Sequence, residues 1–157
     1  APLAADLDFT LKGKEAELQA AVTALSKMTS GAVHICIGND GSSPLKGVKD
    51  AVVHTVKGQH PAGNVGTQIA MIAPVNKGET VWTVAAQDLV IIGELLLTGK
   101  FNAERIIALV GSSVKTPKYY TTKIGAEVST FVYDSGLNEE NVRVISGDVL
   151  TFLQNNI

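Results

Sequence analysis

Hydrophobic residues recur at helical spacing in three stretches of the first hundred residues. In the stretch over residues 13–29 they would share one face, with Lys and Glu opposite: Leu18, Ala21, Val22, Leu25 and Met28. Asn64 could cap a second stretch, which Pro74 ends. Asp88 lies in the first turn of a third, which Gly99 ends. The pattern predicts one amphipathic helix in each stretch.

Short apolar runs at residues 32–37, 51–56 and 80–84 predict three strands among these helices. The first run lacks polar alternation, which is typical of a strand buried on both faces of a parallel sheet. Strands alternating with helices predict a parallel α/β layer. Three strands are few for a doubly wound sheet, so we expect further strands in a longer parent chain.

The order of predicted strands and helices changes after Gly99. Two strands over residues 105–110 and 119–123 precede a short helix around Val128, and a strand over residues 142–146 follows. This β-β-α-β order is typical of a small α+β module. We therefore predict two domains, residues 1–102 and 103–157.

Composition restricts the functional classes. The 157 residues are 45% hydrophobic and 18% charged, which argues against disorder and suggests surface meant for burial against another partner. A net charge of −2 argues against nucleic-acid binding, which needs a basic face. No apolar run is long enough to cross a bilayer. No secretory signal peptide is visible. Because the chain begins with Ala1 instead of Met, it is either processed or excised from a longer protein, and we expect the second.

Motifs that would mark a catalytic or redox centre are missing from the sequence. It lacks the G-x-G-x-x-G run of dinucleotide folds, a P-loop, a G-x-S-x-G elbow and an H-E-x-x-H zinc motif. The single cysteine, Cys36, cannot form an internal disulfide or a cysteine cluster. His34 and His54 fall in predicted strands, where a structural role is the usual one. We therefore assign neither catalytic residues nor a metal site.

The best candidate for ligand binding is the segment GQHPAGNVGT at residues 58–67, which joins a predicted strand to a predicted helix. Its glycines allow a ligand to approach the backbone, and the N–H groups of the helix start could hold an anion. We take six of its residues as a candidate ligand site: His60, Pro61, Gly63, Asn64, Gly66 and Thr67. A tight turn with an N-cap explains the same residues and is the more common reason for such a pattern.

Four aromatic residues offer a second candidate, an apolar pocket for a flat ring. They are Trp82, Tyr119, Tyr120 and Phe131. Aromatic residues at strand and helix positions are more often part of the core, which is the alternative expectation.

Several strings of the sequence are characteristic of one protein family. The most specific is GQHPAG at residues 58–63, followed by Gly66-Thr67. Others in the same order are PLAA at residues 2–5, Gln87-Asp88, LTG at residues 97–99 and ISGDVL at residues 145–150. Together they resemble the A subunit of the sodium-translocating NADH:quinone reductase, and the resemblance runs over essentially the whole chain.

The resemblance implies an incomplete Rossmann-like domain followed by a soluble-ligand-binding β-grasp domain. It implies a parent complex that uses NADH, quinone, flavins and Na⁺, in which this protein sits peripherally on the cytoplasmic side of the bacterial inner membrane. Its partners would be the other subunits, including membrane-embedded ones. Related redox subunits have a glycine-rich flavin loop and a cysteine cluster, and this sequence has neither.

Two hypotheses follow for the function. In the first, the chain is a part of the reductase's A subunit that contributes to assembly and to quinone binding, holds no redox cofactor and is not catalytically competent alone. In the second, it is an independent module that binds an anion or a quinone at residues 58–67.

Overall fold

The computed structural model describes residues 3–38, 43–147 and 152–155, and for the last of these only the strand itself. Parts of two family-like strings, at residues 2–5 and 145–150, therefore lie outside the described residues. Contacts divide the chain into a first unit, Leu7–Asn102, and a second unit, Ala103–Ile157 with Ala1–Asp6. Both units mix helices with small sheets, which confirms the expected α/β class.

The first unit contains four α-helices among its described residues: α1 (Leu7–Thr10), α2 (Glu15–Met28), α3 (Val65–Ile72) and α4 (Ala86–Thr98). The last three are the predicted helices. Gly99 ends α4 in the left-handed conformation, with φ +71°, and its N–H donates to the Leu95 carbonyl. The sequence pattern missed α1 and a short 3₁₀ turn at Pro44–Gly47.

Two strands form a parallel pair in this unit. β1 (His34–Ile37) lies beside β2 (Val52–Thr55), so that Cys36 is opposite His54. The prediction of a parallel arrangement is confirmed, but burial of β1 on both faces is wrong. Only Ile35 and Ile37 are buried, because α2 and its neighbours cover a single face of the sheet.

The core of the first unit lies between this sheet face and the helices. Its buried hydrophobic members are Leu11, Leu18, Ala21, Val22, Ile35, Ile37, Leu45 and Leu89. Three of them, Leu18, Ala21 and Val22, are predicted core positions of α2. Met28, predicted on the same face of α2, is 81% exposed because it lies in the last turn, past the end of this packing.

The strand predicted at residues 80–84 is absent. Its sequence favours a strand, but residues 80–84 have no regular secondary structure, and all five are exposed. A β-prone run becomes a strand only when another strand pairs with its backbone. In the described chain, β1 and β2 pair with each other and leave this segment unpaired.

The second unit contains two antiparallel pairs and one helix among its described residues. β3 (Glu104–Leu109) pairs with β4 (Lys118–Lys123), and β5 (Val144–Gly147) pairs with β6 (Phe152–Asn155). Helix α5 (Val128–Ser135) lies between them in sequence and ends at Gly136. This is the predicted β-β-α-β order with one further strand, β6.

Candidate functional site

The candidate turn at residues 58–67 connects β2 to α3, as the sequence predicts. Backbone hydrogen bonds close it on itself: Ala62 N–H donates to the Gln59 carbonyl over 2.9 Å, and Asn64 N–H to the Pro61 carbonyl over 2.8 Å. The Gln68 side chain also donates to the Ala62 carbonyl, at 3.3 Å. The His60–Pro61 peptide is cis. The segment is therefore a defined turn.

Glycines in this turn have different roles. A Cβ atom on Gly58 would lie 3.0 Å from the Cβ of Ala62, and its φ is +156°, so the turn itself requires glycine there. A Cβ atom on Gly63 or Gly66 would meet nothing within 4 Å. These two glycines leave uncovered backbone that a ligand could approach.

The start of α3 leaves its first N–H groups available. Asn64 occupies the N-cap position, with φ −75° and ψ +133°, but its side chain makes no cap hydrogen bond. The predicted position is correct, and the predicted side-chain cap is not formed. The first turn of any α-helix has N–H groups without intrahelical acceptors. In α3 these are the N–H groups of residues 65–67, and the last of them, Thr67, has a half-buried side chain.

His60 and Pro61 are both exposed at the tip of the turn. The six candidate residues thus lie along one short segment that combines an imidazole, open glycine backbone and a helix start. Such an arrangement can hold a carbonyl or anionic oxygen through N–H groups.

His34 and His54 lie in strands, as predicted, and because these strands are neighbours the two side chains contact each other. Nδ1 of His34 is 2.9 Å from Nε2 of His54, and the ring centroids are 5.1 Å apart. Sequence reasoning missed this pair because it depends on the register of β1 against β2. Cys36 is half-buried on the same sheet face, and burial raises the pKa of its thiol.

A polar cluster in the second unit joins β4 to α5. Tyr120 Oη donates to the Asp134 carboxylate over 2.7 Å and lies 2.6 Å from Ser135 Oγ, while Lys118 Nζ lies 2.6 Å from Asp134. Hydrogen bonds from Lys118 and then Tyr120 lower the pKa of Asp134, and the bond to Asp134 raises the pKa of Lys118. Because its members satisfy one another, the cluster stabilises the fold.

Two of the four aromatic residues are not core residues. Trp82 is 88% exposed, and Tyr119 is exposed and accepts a hydrogen bond from Asp6 N–H at 3.0 Å. Tyr120 and Phe131 do pack, with ring centroids 5.1 Å apart. The expectation of plain core is therefore wrong for Trp82 and Tyr119.

Within the described ranges, no group of three or more His, Cys, Asp or Glu side chains is placed to hold a metal ion. In the same part of the chain, no helix combines the length and the apolar composition needed to cross a membrane.

Comparison with known proteins gives one consistent result. A family described as the NqrA second alpha/beta domain matches residues 1–101, and one described as the NQRA C-terminal domain matches residues 106–151. The A subunit of the Na⁺-translocating NADH-quinone reductase from Neisseria meningitidis serogroup B is 39% identical over 149 residues. The corresponding protein from Alcanivorax borkumensis is also 39% identical, and that from Saccharophagus degradans is 35% identical.

These matches cover 95% or 96% of this chain but 33% of each relative. The chain thus spans about a third of the length of the curated relatives it matches. The first family matches nearly two-thirds of the chain, and the second matches most of the residues that follow. The chain therefore belongs to the family of the A subunits of Na⁺-translocating NADH-quinone reductases.

Proposed function

We propose that this chain acts as part of the A subunit of a Na⁺-translocating NADH:quinone reductase. In this role it contributes to assembly and to quinone binding and holds no redox cofactor itself. The observation that carries the proposal is 35–39% identity to such subunits over at least 95% of the chain. The oxidoreductase activity belongs to the whole complex, which uses NADH, quinone, flavins and Na⁺. The isolated chain is not competent for this activity.

We further propose that the first unit is an incomplete Rossmann-like domain and the second a β-grasp domain. The parallel pair β1–β2 with α2 and α4 supports the former. The order β3-β4-α5-β5 supports the latter, since a helix follows an antiparallel hairpin and precedes another strand.

The absence of a resident redox cofactor is part of the proposal. Fe–S clusters are commonly held by four thiolates, and the sequence contains one thiol. The purified chain should show no visible absorbance, including after incubation with FMN and desalting, and should not oxidise NADH. A flavin or iron–sulfur spectrum that survives desalting would contradict this part.

Exposed apolar side chains support a role in assembly. Val81, Trp82 and Val84 are exposed along one segment, and Leu96 and Leu97 are exposed at the end of α4. Contiguous exposed apolar surface commonly marks a protein–protein or membrane interaction site. We place the protein peripherally on the cytoplasmic side of the bacterial inner membrane, next to the membrane-embedded subunits.

Co-purification tests the assembly role. An affinity tag inserted in the native protein at the exposed turn over residues 76–79 should bring down the other reductase subunits in mild detergent. Trp82→Glu should reduce their yield, whereas Tyr133→Glu, at another exposed aromatic residue, should not. Recovery of the tagged protein without any of the other reductase subunits would refute the assignment.

Quinone binding is proposed at the turn over residues 58–67. A short-chain, water-soluble quinone should bind saturably in ligand-detected NMR, and His60→Ala and Gly63→Ala should weaken binding. Gly47→Ala is the matched control, because a Cβ atom at either glycine meets nothing within 4 Å. Unchanged affinity in both turn variants would leave the turn a purely structural element.

The open glycine backbone and helix start also favour the second candidate, an independent small-molecule module. Under that hypothesis the native protein would bind an anion or a quinone at the same turn but would purify without the other reductase subunits. The co-purification and binding experiments together separate the two functions.

A further inference from the structure

The histidine pair of the first unit lies on the sheet face opposite the core. His34 is exposed and His54 half-buried, whereas Ile35 and Ile37 point to the other, buried face of β1. The register places His54 opposite Cys36, two positions beyond His34 on the same sheet face, so the two histidines are diagonal neighbours. Their rings meet across the strand pair, with centroids 5.1 Å apart, within reach of solvent.

The distance between the facing nitrogens corresponds to the bite of a metal ion. Two metal–nitrogen bonds of about 2.1 Å at a right angle place their nitrogens about 3.0 Å apart. Nδ1 of His34 and Nε2 of His54 are 2.9 Å apart. The two imidazoles are therefore close enough to bind one ion together.

We propose that His34 and His54 form a two-imidazole site for a divalent transition-metal ion, such as Ni²⁺ or Cu²⁺. Water completes the coordination sphere. Imidazole nitrogen is a favoured donor for both ions.

Binding replaces the hydrogen bond between the two rings. In the free protein one ring donates its N–H to the other. When the metal binds, the donor ring moves that proton to its outer nitrogen, leaving His34 Nε2 and His54 Nδ1 protonated. Both rings then turn until their lone pairs converge on the ion, while the strands stay in place. An imidazole nitrogen binds a metal ion only in its unprotonated form.

Calorimetric titration of the untagged 157-residue chain with Ni²⁺ tests the site. The Cys36→Ser background is used because this thiol lies on the same sheet face and could itself bind metal. We expect one ion per chain. Loss of an outer-shell partner alone commonly costs about 10–100-fold in metal affinity, so His34→Gln and His54→Gln should each weaken binding at least about tenfold. His60→Gln, which removes the third histidine, should leave the affinity for Ni²⁺ unchanged.

Far-UV circular dichroism checks that each variant is folded, and Cu²⁺ provides an independent measurement. In the electron paramagnetic resonance spectrum, the bound ion should show hyperfine coupling to two imidazole nitrogens, reduced to one in either variant. Binding that survives His34→Gln and His54→Gln in folded protein, or binding lost with His60→Gln, overturns the proposal. So does wild-type chain that takes up no Ni²⁺ at all.

Discussion

Gly93 of α4 packs directly against the backbone of Glu17 in α2. A Cβ atom on Gly93 would lie 1.8 Å from the Glu17 carbonyl oxygen and 2.4 Å from its carbonyl carbon. Glycine inside a helix costs about 1 kcal/mol relative to alanine. The close approach of the two helices explains why glycine occupies this position, since no side chain fits between them.

Gly93→Ala should therefore destabilise the chain despite the higher helix propensity of alanine. The contact atoms are backbone and cannot rotate away, so α2 and α4 must separate. We expect a loss of about 2 kcal/mol or more in the free energy of unfolding, at the upper end of overpacking effects. Denaturation in urea, followed by circular dichroism, measures it.

Gly66→Ala in α3 is the matched control for this change. Its Cβ atom meets nothing within 4 Å, so the gain in helix propensity should appear as up to about 1 kcal/mol of added stability. Equal stability of the two variants would contradict the packing argument.

Tyr120→Phe should weaken the attachment of α5 to β4. Tyr120 Oη donates to Asp134, and Ser135 Oγ lies 2.6 Å from it in a buried position. Removing the hydroxyl leaves Ser135 without this partner, a cost of about 1–3 kcal/mol. Faster hydrogen exchange of the α5 amides should report the loss. Tyr133→Phe, at a 79% exposed tyrosine of the same helix, should leave exchange unchanged.

A double variant separates the hydrogen bond from general disruption. Replacing both partners can be nearly neutral, because no polar group is then left buried alone. Tyr120→Phe combined with Ser135→Ala should therefore lose less protection than the sum of the single variants. Strict additivity would argue against a direct Tyr120–Ser135 interaction.

The Lys118–Asp134 pair should make the second unit sensitive to pH. The hydrogen bond from Lys118, followed by that from Tyr120, lowers the pKa of Asp134 below its ordinary value of 3.8. A lowered carboxyl pKa stabilises the fold above pH 3.8, and this stabilisation disappears as pH falls through the folded-state value. The raised pKa of Lys118 stabilises the fold below pH 10.5, and this stabilisation is lost as pH rises through the folded-state pKa.

Carboxyl-detected NMR titration measures this directly. The Asp134 midpoint should lie below 3.8 and move up in Lys118→Met, with a smaller rise in Tyr120→Phe. Both side chains are solvent-accessible, so added salt should shrink the shift. A midpoint that stays constant across the variants would refute the assignment of cause.

Cys36 should react slowly with thiol reagents at neutral pH. Burial raises the pKa of this thiol, so less of the reactive thiolate is present than in an unfolded chain. The modification rate should increase with pH, and it should rise further when concentrated urea exposes the residue. Modification of the folded chain as fast as of the unfolded one would contradict this expectation.

Features set by local sequence were the ones that could be predicted. The amphipathic spacing of α2 and the αL stop at Gly99 depend on neighbours within a few residues, and both are present. The turn over residues 58–67 was located for the same reason, through its glycines and Asn64. The missing Asn64 side-chain cap shows that a favoured residue at a correct position still need not make the favoured bond.

Features that depend on distant partners could not be predicted. The strand expected at residues 80–84 required a pairing strand, and the described chain offers none to it. The role of Gly93 depends on the close approach of α4 to α2, which local sequence does not indicate. Likewise the contact between His34 and His54, which are 20 residues apart in sequence, depends on how β1 and β2 pair.

Trp82 gives the clearest test of the exposed segment at residues 80–84. Because its side chain is 88% exposed, Trp82→Ser should change the free energy of unfolding by no more than about 0.5 kcal/mol. Leu89→Ala, at a buried core residue of α4, should cost about 2–5 kcal/mol. Urea denaturation followed by far-UV circular dichroism compares them without the tryptophan signal. If Trp82→Ser destabilised the chain as much as Leu89→Ala, the indole would have to be buried in solution, and the segment would be part of the core.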